Sequence, residues 1–400
     1  MCLQEWAPGL CTSITPVDDH WVAESGMGSI IVRYAEPNPY GVIDHDVTLE
    51  SGETYHNPVQ VLPHDDGAEV VFTLRRQDGM SDADFDRDSQ DAVCRGIWLG
   101  LRFVTPQPEP TVADLLGSGR TTYSFEFFPP KTPEDSDKLW QTLDHLQPLA
   151  PDFVSVTYGA NGSNRDRTLA ITERLARESS LRTVGHLTCA SQSRAELVAA
   201  IEAYRDAGVH HVLAIRGDMP GGPTEPWVRH PDGLANATEL VRLVRETGVS
   251  CIGVAAFPDP HPQVGDPALD ARLLVEKAEA GAEFAITQLF FRPESYLALV
   301  ERVRALGCDI PIVAGIMPIT QIGQVKRFAE FSGAELPAEV VARLTAVADD
   351  PKAVRDVGID IATELSLAVL DGGAPGLHFF TQNRSLATRS ILQRVRSARS

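Results

Sequence analysis

Apolar and polar positions alternate regularly over the last 290 residues of the chain. Short apolar runs are separated by longer stretches in which apolar residues recur every three or four positions, as at Leu139, Leu143 and Leu146. That spacing places the apolar side chains on one face of a helix. The apolar runs predict eight strands, at Tyr123–Phe127, Phe153–Thr157, Thr183–Leu187, His211–Ile215, Ser250–Ala256, Phe284–Gln288, Ile312–Ile316 and Leu377–Thr381.

Strands that are separated by helices pair in parallel through right-handed crossovers. Eight such units predict an α/β fold of the (β/α)8 TIM-barrel type rather than an open doubly wound sheet. A further helical stretch, at about 338–370, precedes the last strand. We expect the active site at the carboxyl ends of the strands. Polar or charged side chains that can take part in binding or catalysis follow nearly every strand there: Glu126, Thr157, His186, Arg216, Asp218, His261, Gln288 and Arg384.

The first hundred residues show a different pattern, in which apolar and polar residues alternate as in half-buried strands. The alternating segments predict an antiparallel meander at 20–25, 29–35, 41–48, 60–62 and 69–74. Three prolines within residues 105–110 mark a break after this part. We therefore expect an antiparallel β segment over residues 1–104, a linker and lead-in over 105–120, and the barrel over 121–395.

Composition and charge argue against several classes of function. The formal net charge of the 400-residue chain is −20, which argues against general binding to nucleic acid or to an anionic membrane. None of the 6 cysteines forms a C-x-x-C pair, and no Cys/His cluster has zinc-ligand spacing, so no metal site is predicted. The amino terminus lacks the pattern of a signal peptide, and no apolar segment is long enough to span a membrane. We expect a cytoplasmic protein with reduced thiols.

Seven short motifs in the barrel region carry a resemblance to a known family. They are SFEFFPPKT (124–132), VSVTYGA (154–160), HLT (186–188), RGD (216–218), AITQLFF (285–291), GIMP (315–318) and HFFTQNR (378–384). In this order and spacing they resemble the catalytic domain of the methylenetetrahydrofolate reductases across nearly all of residues 111–395.

The resemblance implies a reaction and its cofactors. Members of the family reduce methylenetetrahydrofolate to methyltetrahydrofolate, and bound FAD passes a hydride from NADH or NADPH to the folate. Nicotinamide and folate are expected to take turns over the same flavin face. The chain contains no G-x-G-x-x-G strand–turn–helix motif, which agrees with a shared site and no separate nucleotide-binding domain. The sequence does not distinguish NADH from NADPH.

Three residues carry the proposed chemistry. Opening of the substrate's imidazolidine ring needs a proton on the leaving nitrogen, hence a carboxylic acid that stays protonated near neutral pH. Glu126 stands between phenylalanines, whose apolar surroundings disfavour the charged form, and the resemblance places the general acid there. By resemblance, Asp218 binds the amino edge of the pterin beside the flavin. A strand-end amide such as Gln288 suits a contact to a pterin or to a nicotinamide carboxamide.

The resemblance also supplies the binding residues. Arg216 and Lys277 suit the pyrophosphate charge, and His186 and His261 can donate hydrogen bonds. The FAD contacts that it implies are Thr157, Tyr158, Ala160, His186, Arg216, Gly217, Asp218, Ala237, Phe257, His261, Asp270 and Lys277. The folate contacts that it implies are Asp218, Gln288, Gln324, Phe328 and Arg384.

The chain departs from the family pattern near the cofactor. Phe257 stands where some bacterial members have tyrosine, and Val264 replaces a small residue. Leu273 and Glu276 stand where those members carry Asn and Arg against the cofactor. An acid in place of a base near a pyrophosphate weakens FAD binding by about 1.5–3 kcal/mol. We therefore expect FAD to be loosely held.

The amino-terminal segment resembles the middle and end of a polyketide-cyclase-like SRPBCC (START-related, helix-grip) domain. The opening strand and helices of such a domain are missing, and its closing helix degenerates over residues 80–101. We interpret the segment as a fused remnant rather than a working ligand-binding module. Exposed strand edges favour association, so a homo-oligomer is one option.

Three other functions remain open from the sequence. A non-catalytic barrel that binds flavin or folate is disfavoured by Glu126, Asp218 and Gln288. Direct reduction by NADH without tightly bound flavin is an alternative that Leu273 and Glu276 leave open. An unrelated TIM-barrel flavoenzyme is disfavoured by the presence of the folate-binding set.

Overall fold

The computed structural model of the protein describes residues 13–17, 20–25, 28–34, 44–64, 67–72, 110–158, 165–179 and 181–399. The chain divides into two units, Met1–Glu109 and Pro110–Ser400, and each is described by itself.

The described part of the first unit consists of antiparallel strands. They are β1 (Ser13–Val17), β2 (His20–Ser25), β3 (Gly28–Tyr34), β4 (His45–Thr48), β5 (Thr54–Asn57), β6 (Val59–His64) and β7 (Gly67–Phe72). Strands β1 to β5 form one sheet in chain order, and β6 pairs with β7 in a separate hairpin. The predicted antiparallel strands are confirmed where the structure describes them, but they do not form one meander, because β6 and β7 pair apart from the five-stranded sheet and β1 and β5 lie outside the predicted segments. The likeness to an SRPBCC domain stays a prediction, because the closing segment 80–101 lies outside the described residues.

The second unit contains the eight strands that the apolar runs predict. They are β8 (Thr122–Phe127), β9 (Phe153–Val156), β10 (Thr183–Thr188), β11 (His211–Ile215), β12 (Cys251–Ala256), β13 (Phe284–Thr287), β14 (Ile312–Ile316) and β15 (Gly376–Phe380). Neighbouring strands are parallel, and β15 pairs with β8 to close the barrel. The predicted (β/α)8 TIM barrel is confirmed.

Helices surround the barrel because each has one apolar face. In chain order they are α1 (Val112–Gly117), α2 (Pro133–Leu146), α3 (Arg165–Glu178), α4 (Arg194–Asp206), α5 (Ala237–Glu246), α6 (Pro267–Glu279), α7 (Pro293–Ala305), α8 (Ile322–Ser332), α9 (Ala338–Thr345), α10 (Pro351–Asp371) and α11 (Leu386–Arg399). The predicted apolar face of α2 is buried at Leu139, Leu143 and Leu146. Side-chain caps begin several of these helices, among them Thr132 before α2 and Asn236 before α5. Helices α9 and α10 form the further helical stretch before the last strand.

Helix α1 lies within residues 105–120, which the sequence predicts as linker and lead-in. A capping box between Thr111 and Asp114 begins the helix. Val112 and Leu116 are buried in one apolar cluster with the barrel residues Phe153 and Phe284. This helix therefore belongs to the barrel unit, because it covers apolar side chains at the amino end of the strands.

Strand β8 shows how the barrel separates its two faces. Phe125 and Phe127 share a large apolar cluster with Leu139 and Leu143 of α2. Successive side chains of a strand point to opposite faces, so Ser124 and Glu126 point into the barrel. The carboxyl group is thereby placed at the carboxyl end of β8, inside the ring of strands.

No helix within the described ranges is long and apolar enough to cross a membrane.

The buried imidazole of His211, at the start of β11, predicts acid sensitivity of the barrel. Burial, followed by the charge of Arg182, lowers the pKa of His211 from 6.5 to about 4. Between these two pH values the unfolded chain binds a proton that the folded barrel does not, so stability falls as the pH drops through this window. We expect His211→Leu to remove about 2 kcal/mol of that loss between pH 7 and pH 4.5.

Urea denaturation of the full chain at pH 7 and pH 4.5 measures this effect. His210→Leu, which removes an exposed neighbouring imidazole, is the control. Equal pH dependence in wild-type protein and His211→Leu would contradict the assignment.

Candidate active site

The Glu126 carboxyl group lies between two buried imidazoles inside the barrel. Its Oε2 atom is 3.4 Å from Nε2 of His378 and 3.6 Å from Nε2 of His186. The side chain of Glu126 is 11% exposed, against 0% for His378 and 5% for His186. One face of the carboxyl group is therefore open to a ligand, while the other is held by the barrel wall.

The imidazole of His186 is uncharged near pH 7. Burial lowers the pKa of His186 to about 4, although the carboxylate of Glu126 opposes the shift. The backbone at His186 is held by Tyr204 of α4, whose hydroxyl donates to the His186 carbonyl oxygen at 2.8 Å. His186 Nε2 has no hydrogen-bond partner in the described part of the chain. A buried polar atom without a partner beside a carboxyl group favours a ligand-binding role.

Three basic side chains meet at the carboxyl ends of β11 and β12. Nη2 of Arg216 is 3.5 Å from Nε2 of His261. Lys277 is buried on α6 and donates from Nζ to the Ala255 carbonyl oxygen at 2.7 Å. Burial lowers the pKa of Lys277 to about 8, and Asp270 opposes this shift. Lys277 therefore carries a positive charge at neutral pH, as Arg216 does.

Asp270 anchors the loop that carries His261. The His261 backbone N–H donates to Oδ2 of Asp270 at 2.9 Å. Burial raises the pKa of Asp270 and lowers the pKa of His261 to about 4. The ring of Phe257 meets the imidazole of His261 edge to face, with centroids 4.9 Å apart. His261 is thus a neutral donor or acceptor beside two cations.

The Arg216-Gly217-Asp218 turn brings backbone close to the mouth of the barrel. Gly217 adopts a φ of 79°, and a Cβ there would lie 2.8 Å from Cβ of Thr188. Only glycine fits this position without strain. The guanidinium of Arg216 stacks 5.0 Å above the ring of Trp227. Burial raises the pKa of the Asp218 carboxyl group, and the charge of Arg216 opposes the shift.

The predicted folate-binding residues other than Asp218 lie around β13 to β15. Gln288 follows β13, and its Oε1 accepts a hydrogen bond from the Leu289 backbone N–H at 2.8 Å. Gln324 of α8 donates to Oε1 of Gln382. Phe328 is partly buried against an apolar cluster, whereas Arg384 is exposed. Arg384 is therefore available to an acidic group of a ligand.

Four predicted cofactor contacts have a less direct placement. Tyr158 is buried in the apolar core, and its hydroxyl donates to Oε1 of Gln192 at 3.2 Å. Thr157 follows β9, and its carbonyl oxygen accepts from the Thr168 hydroxyl at 2.9 Å. Ala237 is the first residue of α5. Ala160 lies outside the described residues.

Sequence reasoning missed two contributors to the site. His378 is part of the HFFTQNR motif, but no role was assigned to it. His378 on β15 pairs with Ser124 on β8, and Ser124 lies on the same face of β8 as Glu126. The alternation of side chains along the two strands is therefore a sequence signal that could have placed His378 on the same side as Glu126. Trp227 lies in an irregular loop after β11, and its contact with Arg216 has no sequence periodicity that would predict it.

Comparison with known proteins decides the family. The family model of methylenetetrahydrofolate reductase matches residues 111–396. The chain belongs to the methylenetetrahydrofolate reductase family. It is 38% identical to the 5,10-methylenetetrahydrofolate reductase of Pectobacterium carotovorum subsp. carotovorum over 275 residues, which cover 68% of this chain and 89% of the relative. The Escherichia coli (strain K12) reductase is also 38% identical, with 68% and 90% covered.

Other similarities within and beyond the reductase family agree with the barrel. Methylenetetrahydrofolate reductase (NADH) 1 of Arabidopsis thaliana is 36% identical over 288 residues, which cover 69% of this chain and 48% of that protein. A solved Clostridium thermocellum protein that binds two copies of 5-methyl-5,6,7,8-tetrahydrofolic acid superposes with a TM-score of 0.50. It is 13% identical and covers 71% of this chain and 96% of its own, so it shows similarity of fold alone.

Proposed function

We propose that this member of the reductase family reduces 5,10-methylenetetrahydrofolate to 5-methyltetrahydrofolate, with NADH or NADPH as hydride donor, FAD as cofactor and Glu126 as general acid. Family membership supports the reaction, and NADH-dependent relatives support a nicotinamide donor. The observation that carries the proposal is the Glu126 carboxyl group, which is held between His186 and His378 at the end of the barrel where TIM-barrel active sites lie.

The residues at the mouth of the barrel fit FAD. Arg216 and Lys277 supply positive charge for a pyrophosphate, and the imidazole of His261 lies beside Arg216. Gly217 lets the turn pack closely against Thr188 and Ala190, and Nε2 of His186, which has no hydrogen-bond partner among the described residues, is suited to a ligand contact. When bound, FAD would supply the hydride-carrying chemistry that no side chain of the chain can provide.

The remaining predicted contacts keep their proposed roles on the FAD. We keep Thr157, Tyr158, Ala160 and Ala237 as residues that would contact FAD, and Asp270 as the residue that would fix the His261 loop. Phe257 offers an aromatic face in place of a hydroxyl. Asp218 is assigned both to the flavin and to the amino edge of the pterin.

Glu126 would donate its proton to the leaving nitrogen of the folate's imidazolidine ring. Protonation breaks the carbon–nitrogen bond and leaves an iminium carbon that can accept hydride. The barrel interior excludes water from most of the surface of the Glu126 side chain. Asp218 and Gln288 would orient the pterin, while Phe328, Gln324 and Arg384 would bind the rest of the folate.

FAD is expected to be held loosely. Leu273 and Glu276 lie on α6, the helix that carries Lys277. The Glu276 carboxylate is exposed and raises the pKa of Lys277, so it partly offsets the positive charge offered to the pyrophosphate. The positive charges of Arg216 and Lys277 still favour binding of the FAD pyrophosphate, but Glu276 makes this binding weaker than it would be with the two cations alone.

Replacement of Glu126 by Gln separates the two halves of the reaction. Gln cannot donate a proton, so we expect oxidation of reduced flavin by methylenetetrahydrofolate to slow by a factor of about 10²–10⁴. Flavin reduction by NADH needs no such acid and should persist. Rapid-mixing absorbance of the FAD-supplemented protein measures each half separately.

Glu330→Gln, at an exposed position of α8, is the matched control for the Glu126 variant. Loss of both half-reactions in Glu126→Gln would show that Glu126 has a structural role and is not the acid.

The affinity for FAD should depend on pH through Lys277. The pKa of Lys277 is about 8, so its charge is lost as the pH rises through that value. We expect FAD affinity to fall about tenfold between pH 7 and pH 9, because a neutral amine no longer attracts a pyrophosphate. Lys277→Met should weaken binding at pH 7 by about 1.5–3 kcal/mol and lose this pH dependence.

Quenching of FAD fluorescence on titration with protein measures these affinities. Arg272→Met, which removes an exposed cation of the same helix, is the control. A tenfold pH effect that persists in Lys277→Met would assign it to another group.

A further inference from the structure

We propose that Trp227 is a positioning residue that holds the Arg216 guanidinium against its indole face, so that the charge of Arg216 stays available to the pyrophosphate of FAD. This role rests on the proposed function, because it concerns the cofactor of the proposed reaction. Trp227 lies in the irregular loop between β11 and α5.

The loop is anchored on both sides of Trp227. Before it, the Glu225 carbonyl oxygen accepts a hydrogen bond from the side-chain amide of Gln263, in the loop after β12. After it, Nε of Arg229 donates to the Gly233 carbonyl oxygen at 2.9 Å. The Trp227 ring is partly buried against the large apolar cluster of the barrel. The protein therefore holds the indole in place before any ligand binds.

Trp227 contacts Arg216 through the face of the indole and not through its N–H group. The guanidinium carbon lies 5.0 Å from the ring centroid, within the range of a cation–π interaction. The indole N–H has no hydrogen-bond partner among the residues that the structure describes. Trp227 thus offers its neighbour an aromatic surface and no counter-charge.

The charge of Arg216 is not neutralised by a partner. Burial lowers the pKa of Arg216, and the negative charge of Asp218 opposes this shift. Within the described ranges, however, Arg216 forms no ion pair with a carboxylate. A carboxylate partner would cancel the charge that attracts a pyrophosphate, whereas an aromatic face stabilises the cation and leaves its charge intact.

Most N–H groups of Arg216 are also left for a ligand. A guanidinium has five N–H donors in a fixed fork. Nε of Arg216 donates to the Gly217 carbonyl oxygen at 3.4 Å, and Nη2 lies 3.5 Å from Nε2 of His261. Both distances are long for a hydrogen bond. Because a guanidinium donates from its edge, an aromatic ring over its face leaves these donors available to phosphate oxygens.

A double-mutant cycle on the full chain tests whether Trp227 acts through Arg216. Quenching of FAD fluorescence gives the affinity of wild-type protein, Trp227→Leu, Arg216→Met and the double variant. We expect Trp227→Leu to weaken FAD binding about five- to tenfold, the effect of losing one partly desolvated cation–π contact. In the Arg216→Met background the same substitution should change the affinity by less than about twofold, because no cation is left to position.

Trp140→Leu is the matched control. Trp140 of α2 makes the same kind of contact with Arg174 of α3, at 4.1 Å, on the helices outside the barrel. Loss of that contact should leave FAD affinity unchanged. Trp227→Phe keeps an aromatic face and should recover at least half of the lost affinity on a logarithmic scale.

Fluorinated tryptophan at position 227 tests the same contact if Trp227→Leu does not fold, because it closely preserves the shape of the ring. Fluorine withdraws electron density from the ring face, so FAD affinity should fall stepwise as fluorine atoms are added, by about threefold in all. A purely structural role of the ring would not produce this dependence.

The outcomes separate the role of Trp227 from the proposed function. Equal losses with and without Arg216, or an affinity unmoved by fluorination, would overturn the positioning role even in an enzyme that turns over methylenetetrahydrofolate. The expected coupling in a protein without such turnover would reject the proposed reaction and retain the role of Trp227. A wild-type chain that binds no FAD would overturn both.

Discussion

The pairing of the last barrel strand with the first is the interaction on which the site depends. β15 and β8 are aligned so that His378 lies opposite Ser124 and Phe380 opposite Glu126. Glu126 and His378 are 252 positions apart in the chain, yet this register brings Oε2 and Nε2 to 3.4 Å. A slip of one residue would turn the carboxyl group away from the barrel interior and into the apolar layer under the helices.

The barrel keeps two kinds of electrostatic surroundings apart. The Glu126 carboxyl group faces uncharged His186 and lies among strand residues, whereas Arg216 and Lys277 lie at the ends of β11 and β12. An acid that must stay protonated and cations that must stay charged need opposite conditions. Their placement at different strand ends would give the proposed site both a proton donor and a binding region for a phosphorylated cofactor.

Much of this arrangement could be predicted from the sequence, because strand and helix periodicity are local properties. All eight barrel strands and the strand-end position of Glu126 followed from such patterns. The chemical roles came from resemblance, not from spacing. The helix α1 within the predicted linker was missed because its six residues are too few for a clear period. The contact between His378 and Glu126 was missed because it depends on register between distant strands.

Absorbance of the FAD-supplemented protein, mixed without oxygen first with NADH and then with methylenetetrahydrofolate, tests the central claim most directly. We expect NADH to bleach the flavin and methylenetetrahydrofolate to restore its oxidised spectrum, since in the proposed reaction both substrates exchange hydride with one cofactor. Bleaching without recovery would retain a flavoenzyme but contradict folate as its substrate. Absence of any bound flavin would contradict the role of FAD and leave direct reduction by NADH as the alternative.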